Sequence, residues 1–196
     1  MEKSVPWSEI IMHPFSNSAA TPYGAMIEKP FYGSWNRLLN TLFPAASIFE
    51  VVPQIPVVAY RKTHDFPITF FICVNRTPVL FVDVRDPYKN PSSSTRAEAD
   101  SQMRTHFQDI HQYMEIRVIY GVSAFGSRLA FSNLNKETSI TKKRWDPPRV
   151  SCDPSQCDKD TPQEWWRYNL LEKEGAEKFI EAVNETKRIC QEVYGK

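Results

Sequence analysis

At 196 residues the chain is long enough for one domain to bury most of a hydrophobic core without metals or disulfides to staple it. A hydrophobic content of 41% and a charged content of 24% exclude a wholly disordered chain, and 15 prolines against 6 glycines point to rigid loops rather than flexible linkers. The formal net charge of +1 provides no global attraction to nucleic acid, so any such binding needs a local basic patch.

The start of the chain, Met1 to Phe15, is interrupted by Glu2, Lys3, Glu9 and His13 and lacks the continuous apolar run of a signal peptide. No stretch approaches the roughly 20 apolar residues of a membrane span. Both observations lead to the expectation of a soluble protein of the cytoplasm or nucleus with no membrane partner. Cys73, Cys152, Cys157 and Cys190 are too sparse for a secreted disulfide scaffold, which fits a reducing compartment. Cys73, in an apolar run, and Cys190, on a helical stripe, read as core thiols. Cys152 and Cys157 enclose a short loop without the further Cys or His pair that a zinc site needs.

In chain order, residues 1–32 carry Pro6, Pro14, Pro22 and Pro30 among scattered aromatics and read as an extended arm over a domain spanning 33–196. Ser34 to Leu42 predicts a short amphipathic helix: Trp35, Leu38, Leu39 and Leu42 share a face, Ser34 caps it and Pro44 stops it. Ile48 to Val52 and Val57 to Tyr60 are β-branched runs, at least one of them a strand. Ile68 to Val74 and Pro78 to Val84 are nearly unbroken apolar runs, as in strands buried on both faces, and Asn75-Arg76-Thr77 joins them as a hairpin connection.

Thr95 to Glu98 has capping-box form, and Met103, Phe107, Ile110 and Met114 follow at helical spacing, which predicts a helix from Arg96 to Tyr113. Val118 to Val122 and Leu129 to Ser132 form a second strand pair, followed by a long loop. Thr161 to Glu164 marks another helix start, with Trp165 and Trp166 as core or interface residues. Phe179, Val183, Thr186, Cys190 and Val193 form one helical stripe, with a break expected near Gly175.

Asp65 precedes one central strand, and Asp83-Val84-Arg85 ends the next. This order resembles the restriction-endonuclease-like fold of the PD-(D/E)xK superfamily, over roughly Ser34 to Ser132. The resemblance implies an α/β core with a central mixed sheet flanked by helices. It places Asp65 and Asp83 as ligands of Mg²⁺ or Mn²⁺, where two hard carboxylates hold a cation that polarises a phosphate. The lysine position is taken by Arg85, which stays protonated and cannot serve as a general base but can clamp a phosphate. Gln102, four residues before His106 on the long helix, is implied as an accessory residue.

The runs Pro78 to Arg85, Ala99 to Arg104 and Tyr120 to Gly126 are also similar to uncharacterised fungal proteins that tend to carry Glu-x-Lys at the triplet. Either a weakly active metal-dependent nuclease or an impaired relative that binds DNA or RNA is the implied function.

Other readings of the same residues stand beside these. Asp83 could cap a turn with Arg85 solvated, and Gln102 and His106 could be a polar helix edge. Lys142, Lys143 and Arg144 are either a solvated loop or, with Trp145, a phosphate-contacting and base-stacking patch. A third functional class, a protein-interaction or regulatory module, uses the proline-rich arm and the tryptophans to meet a protein partner or a second copy of the chain.

Overall fold

The computed structural model describes residues 5–20, 31–54, 68–85, 93–137 and 163–195, with backbone alone at 18–20, 93 and 163. Asp65, Lys142, Lys143, Arg144, Cys152, Cys157 and the run Val57 to Tyr60 lie outside the described residues. The elements are α1 (Glu9–Ala20), α2 (Tyr32–Leu42), β1 (Glu50–Gln54), β2 (Ile68–Val74), β3 (Thr77–Arg85), α3 (Ser93–His111), β4 (Val118–Phe125) and β5 (Arg128–Asn135). A one-turn 3₁₀ helix (Gln163–Trp166), β6 (Tyr168–Asn169) and α4 (Lys173–Tyr194) follow.

The strands form one six-stranded mixed sheet in the order β1-β2-β3-β4-β5-β6. Every neighbouring pair is antiparallel except β3 and β4, which run parallel and are joined through α3. A parallel pair needs such a crossover, whereas antiparallel neighbours need only short turns. The β2–β3 turn is one of these, with Asn75 at φ 49° and Arg76 at φ 68°, the left-handed pair that matches strand twist in a two-residue hairpin. Gly126, at φ 61°, makes the β4–β5 turn.

β2 and β3 are buried over nearly their whole length, as their apolar runs predict, because helices cover both faces. Phe81, Gly121 and Phe71 share the face covered by α3, where Phe107 meets Phe81 edge-on at 5.0 Å. Strand alternation turns Tyr120, Val122 and Phe131 to the opposite face, which α4 covers. Trp35 of α2 is fully buried between Phe15 of α1, at 5.6 Å, and Phe179 of α4, at 5.5 Å, both edge-on.

Several local expectations are corrected. Glu9–Ala20, inside the segment read as an extended arm, is helical despite Pro14. Pro14 removes one helical hydrogen bond, but Ile11 and Phe15, four apart, are buried in the core, and that burial outweighs the lost bond. Ser34 and Thr95 do not cap: α2 begins at Tyr32 and α3 at Ser93, which puts both residues inside their helices. Of the helix start expected at Thr161 to Glu164, Thr161 and Pro162 lie outside the described residues, and the described part forms one 3₁₀ turn, Gln163–Trp166.

α4 is unbroken through Gly175. A Cβ there would lie 2.5 Å from the Asn169 carbonyl carbon, so glycine is required by the close approach of β6 and does not end the helix. Among the described residues no helix is long and apolar enough to cross a membrane.

Cys73 and Cys190 are buried free thiols. Burial pushes Cys190 up to about 12, and burial together with the Glu50 charge pushes Cys73 up to about 11. Both are expected to resist iodoacetamide at pH 8 in the native protein and to react on unfolding, as read by peptide mass mapping. Rapid native alkylation of either contradicts this environment. The folded state holds both thiol protons more tightly than the unfolded chain. Their stabilisation is therefore complete below the ordinary value of 9.0 and declines as pH rises through about 11 to 12.

Candidate functional site

β3 carries Asp83 and Arg85 two residues apart, so alternation sets both on the face beneath α3. The register places Thr69 of β2 directly opposite Asp83, and Ser123 of β4 on its other side. Residues four apart on α3, Glu98, Gln102 and His106, run as a stripe above them. Three elements thus bring Thr69, Asp83, Arg85, Gln102 and His106 together, with Glu98 at the rim.

Asp83 is fully buried, and the Thr69 hydroxyl donates to its Oδ1 at 2.6 Å. His106 Nε2 lies 3.3 Å from the same oxygen and 3.4 Å from Thr69 Oγ1. Because the Thr69 hydrogen is committed to Asp83, its oxygen can only accept from His106, which assigns the ring proton to Nε2. Phe71 and Phe81 meet the imidazole edge-on at 5.8 and 5.5 Å and fix its plane.

The Arg85 side chain is 9% exposed and donates through Nη2 to Gln102 Oε1, while Nη1 lies 3.9 Å from Glu98 Oε1. Glu98 is 72% exposed, so the guanidinium points from the buried cluster toward the surface. Burial pulls the Arg85 pKa below its ordinary value, and the charges of Asp83 and Glu98 offset part of that.

Accepting from Arg85 turns the Gln102 amide nitrogen toward His106 Nε2 at 3.5 Å, a contact between two donors. Asp83 Oδ2 and Arg85 Nε are buried and have no hydrogen-bond partner among the described residues. Buried polar atoms are nearly always satisfied, so these two, on residues two apart on one face of β3, mark a place where a further polar group belongs.

The reading of Asp83 as a turn cap with a solvated Arg85 is therefore corrected: both are buried in the sheet, because β3 continues through Arg85. Gln102 and His106 are not a bare polar helix edge, since both face β3. Thr69 carries no site signal in the sequence, and Glu98, expected as the acid of a capping box, instead faces Arg85. Thr69 is visible only through strand register, and the site role of Glu98 only through its place one turn before Gln102.

Among the described residues no group of three His, Cys, Asp or Glu side chains is placed to hold a metal ion. Asp83 offers one oxygen that no described residue engages, and the nearby Arg85 charge repels a cation. The described donors do not fit a complete Mg²⁺ site. No protein-family model, curated protein or solved structure matches the chain.

Proposed function

We propose that the chain is a restriction-endonuclease-like domain that binds nucleic acid through its phosphates and is impaired in cleavage. The observation that carries this reading is the pair of buried polar atoms with no partner among the described residues, Asp83 Oδ2 and Arg85 Nε, on residues two apart on one strand beneath the Gln102 and His106 stripe. The order of α2, β1, β2, β3, α3 and β4, on which the resemblance rests, supports it as well. Arg85 supplies a fixed positive charge with a planar fork suited to phosphate oxygens. It cannot take a proton from water, and Asp83 Oδ1 is already engaged by Thr69, so the triplet is built for holding rather than hydrolysis.

Single- and double-stranded DNA and RNA, tested across salt concentrations with and without Mg²⁺ or Mn²⁺, decide the matter. Retention is expected to weaken with salt. Arg85→Ala should lower affinity roughly tenfold and reduce the salt slope by about one. Retention indifferent to salt and to Arg85→Ala rejects the reading. Metal-dependent cleavage abolished by Asp83→Ala would instead assign an active nuclease, and a protein partner or homodimer without nucleic-acid affinity would assign an interaction module.

A further inference from the structure

On the sheet face opposite Asp83, a cavity of about 780 Å³ opens between β4, β5, the 3₁₀ turn, β6 and α4. That volume lies within the range of small-molecule sites. Tyr120, Phe131, Trp165 and Tyr168 line it and are all only half-buried, although Phe131 and Tyr168 meet edge-on at 5.5 Å. The Arg167 guanidinium lies over the Tyr168 ring at 4.8 Å, so Tyr120, Phe131 and Trp165, partly uncovered in the same concavity, provide the aromatic surface for another planar group.

The polar lining narrows the class. Arg167, Lys178 and Arg188 border the cavity, and each is already ion-paired: Arg167 with Glu174 at 3.2 Å, Lys178 with Glu181 at 2.8 Å and Arg188 with Glu185 at 2.6 Å. Glu164, Glu181 and Glu185 balance the three cations in the lining, so the cavity carries no net charge for a phosphate or an ammonium group. The side-chain amides of Asn133 and Asn184, by contrast, have no partner among the described residues. Each presents both a donor and an acceptor, the pattern that pairs with the edge of a heterocyclic amide or amidine. The Tyr120 hydroxyl adds a further donor, kept protonated by burial and by the Glu185 and Glu181 charges.

We infer that this cavity binds a planar, uncharged nitrogen heterocycle of the nucleobase kind, taken either from a free nucleoside or from an unpaired base of a single strand. The ring lies against the aromatic wall, and its edge meets Asn133 and Asn184. The site is independent of the Asp83 cluster, from which the sheet separates it.

Isothermal titration with the four common nucleosides, their 5′-monophosphates and short single-stranded oligonucleotides tests it. The oligonucleotides are titrated into the Arg85→Ala protein, so that the cluster on the other face contributes little. At least one nucleoside is expected to bind saturably, no more weakly than its monophosphate. Asn184→Ala, an exposed change on α4, should weaken that binding roughly tenfold without lowering the melting temperature. Trp165→Ala should weaken it as well. Oligonucleotides binding more tightly than nucleosides identify a strand as the source, and equal affinities identify a free nucleoside. Absence of binding by nucleosides and oligonucleotides alike at millimolar concentration overturns the inference. So does a monophosphate that binds far more tightly than its nucleoside, or binding unaltered by both variants.

Discussion

Trp35→Ala is expected to lower the free energy of unfolding by about 3–5 kcal/mol, which would leave a domain of ordinary stability close to unfolded. Trp35 is fully buried and lies at the junction of three helices, edge-on to Phe15 of α1 and to Phe179 of α4. Its Nε1 donates to the Gly126 carbonyl at 2.9 Å and so ties α2 to the β4–β5 turn. Truncation opens a cavity that two separate helices would have to collapse into, and it removes the hydrogen bond as well. Trp35→Phe keeps most of the ring and separates the two effects, since the lost bond accounts for about 1–3 kcal/mol. Urea denaturation of both variants measures this, and a loss below 1.5 kcal/mol for the alanine variant would show that α1 and α4 do not depend on this residue.

Gly121→Val is expected to cost about 3 kcal/mol and to weaken the proposed nucleic-acid retention with it. Gly121 of β4 lies directly beneath α3. A Cβ there would sit 2.8 Å from Phe81 Cζ and 2.9 Å from Phe107 Cζ, with Met103 Sδ closer still. Met103 can swing aside, but the two rings are packed against each other and cannot. The extra volume therefore lifts α3 from the sheet. Gln102 and His106 neighbour Met103 and Phe107 on the same turns, so lifting α3 draws them away from Arg85 and Asp83. Gly121→Ala should show the same pair of effects at smaller size. Urea midpoints and nucleic-acid titrations measure both, and a valine variant as stable and as retentive as the parent would contradict this account of α3 packing.

Much of the sheet was legible because its signals are local. β2, β3, β4 and β5 fall on the apolar runs that predict them, and α3 and α4 fall on stripes of period 3.6. Of the candidate site, the Asp83 and Arg85 pair could be read directly, since residues two apart on a strand share a face. Gln102 and His106 followed from their spacing of four on one helix. Asp65, Lys142, Lys143 and Arg144 belong to segments outside the described residues, so the convergence of Asp65 with Asp83 is an expectation of the resemblance alone.

Local sequence pattern was enough for α2, α3, α4 and β2 to β5, and for the placement of Asp83 and Arg85 on one face. Each of these depends on chemistry within a few residues. The tertiary structure alone decided that Glu9–Ala20 is a helix around Pro14, that Gly175 is a contact with β6 rather than a break, and that Asp83 is buried against Thr69 and His106. The paired charges and free amides of the cavity between β5 and α4 belong to the same class. These depend on strand register and on the α3 crossover, which set residues 14 and 37 positions apart against one another. No local periodicity encodes such separations, because packing over the whole sheet selects the register.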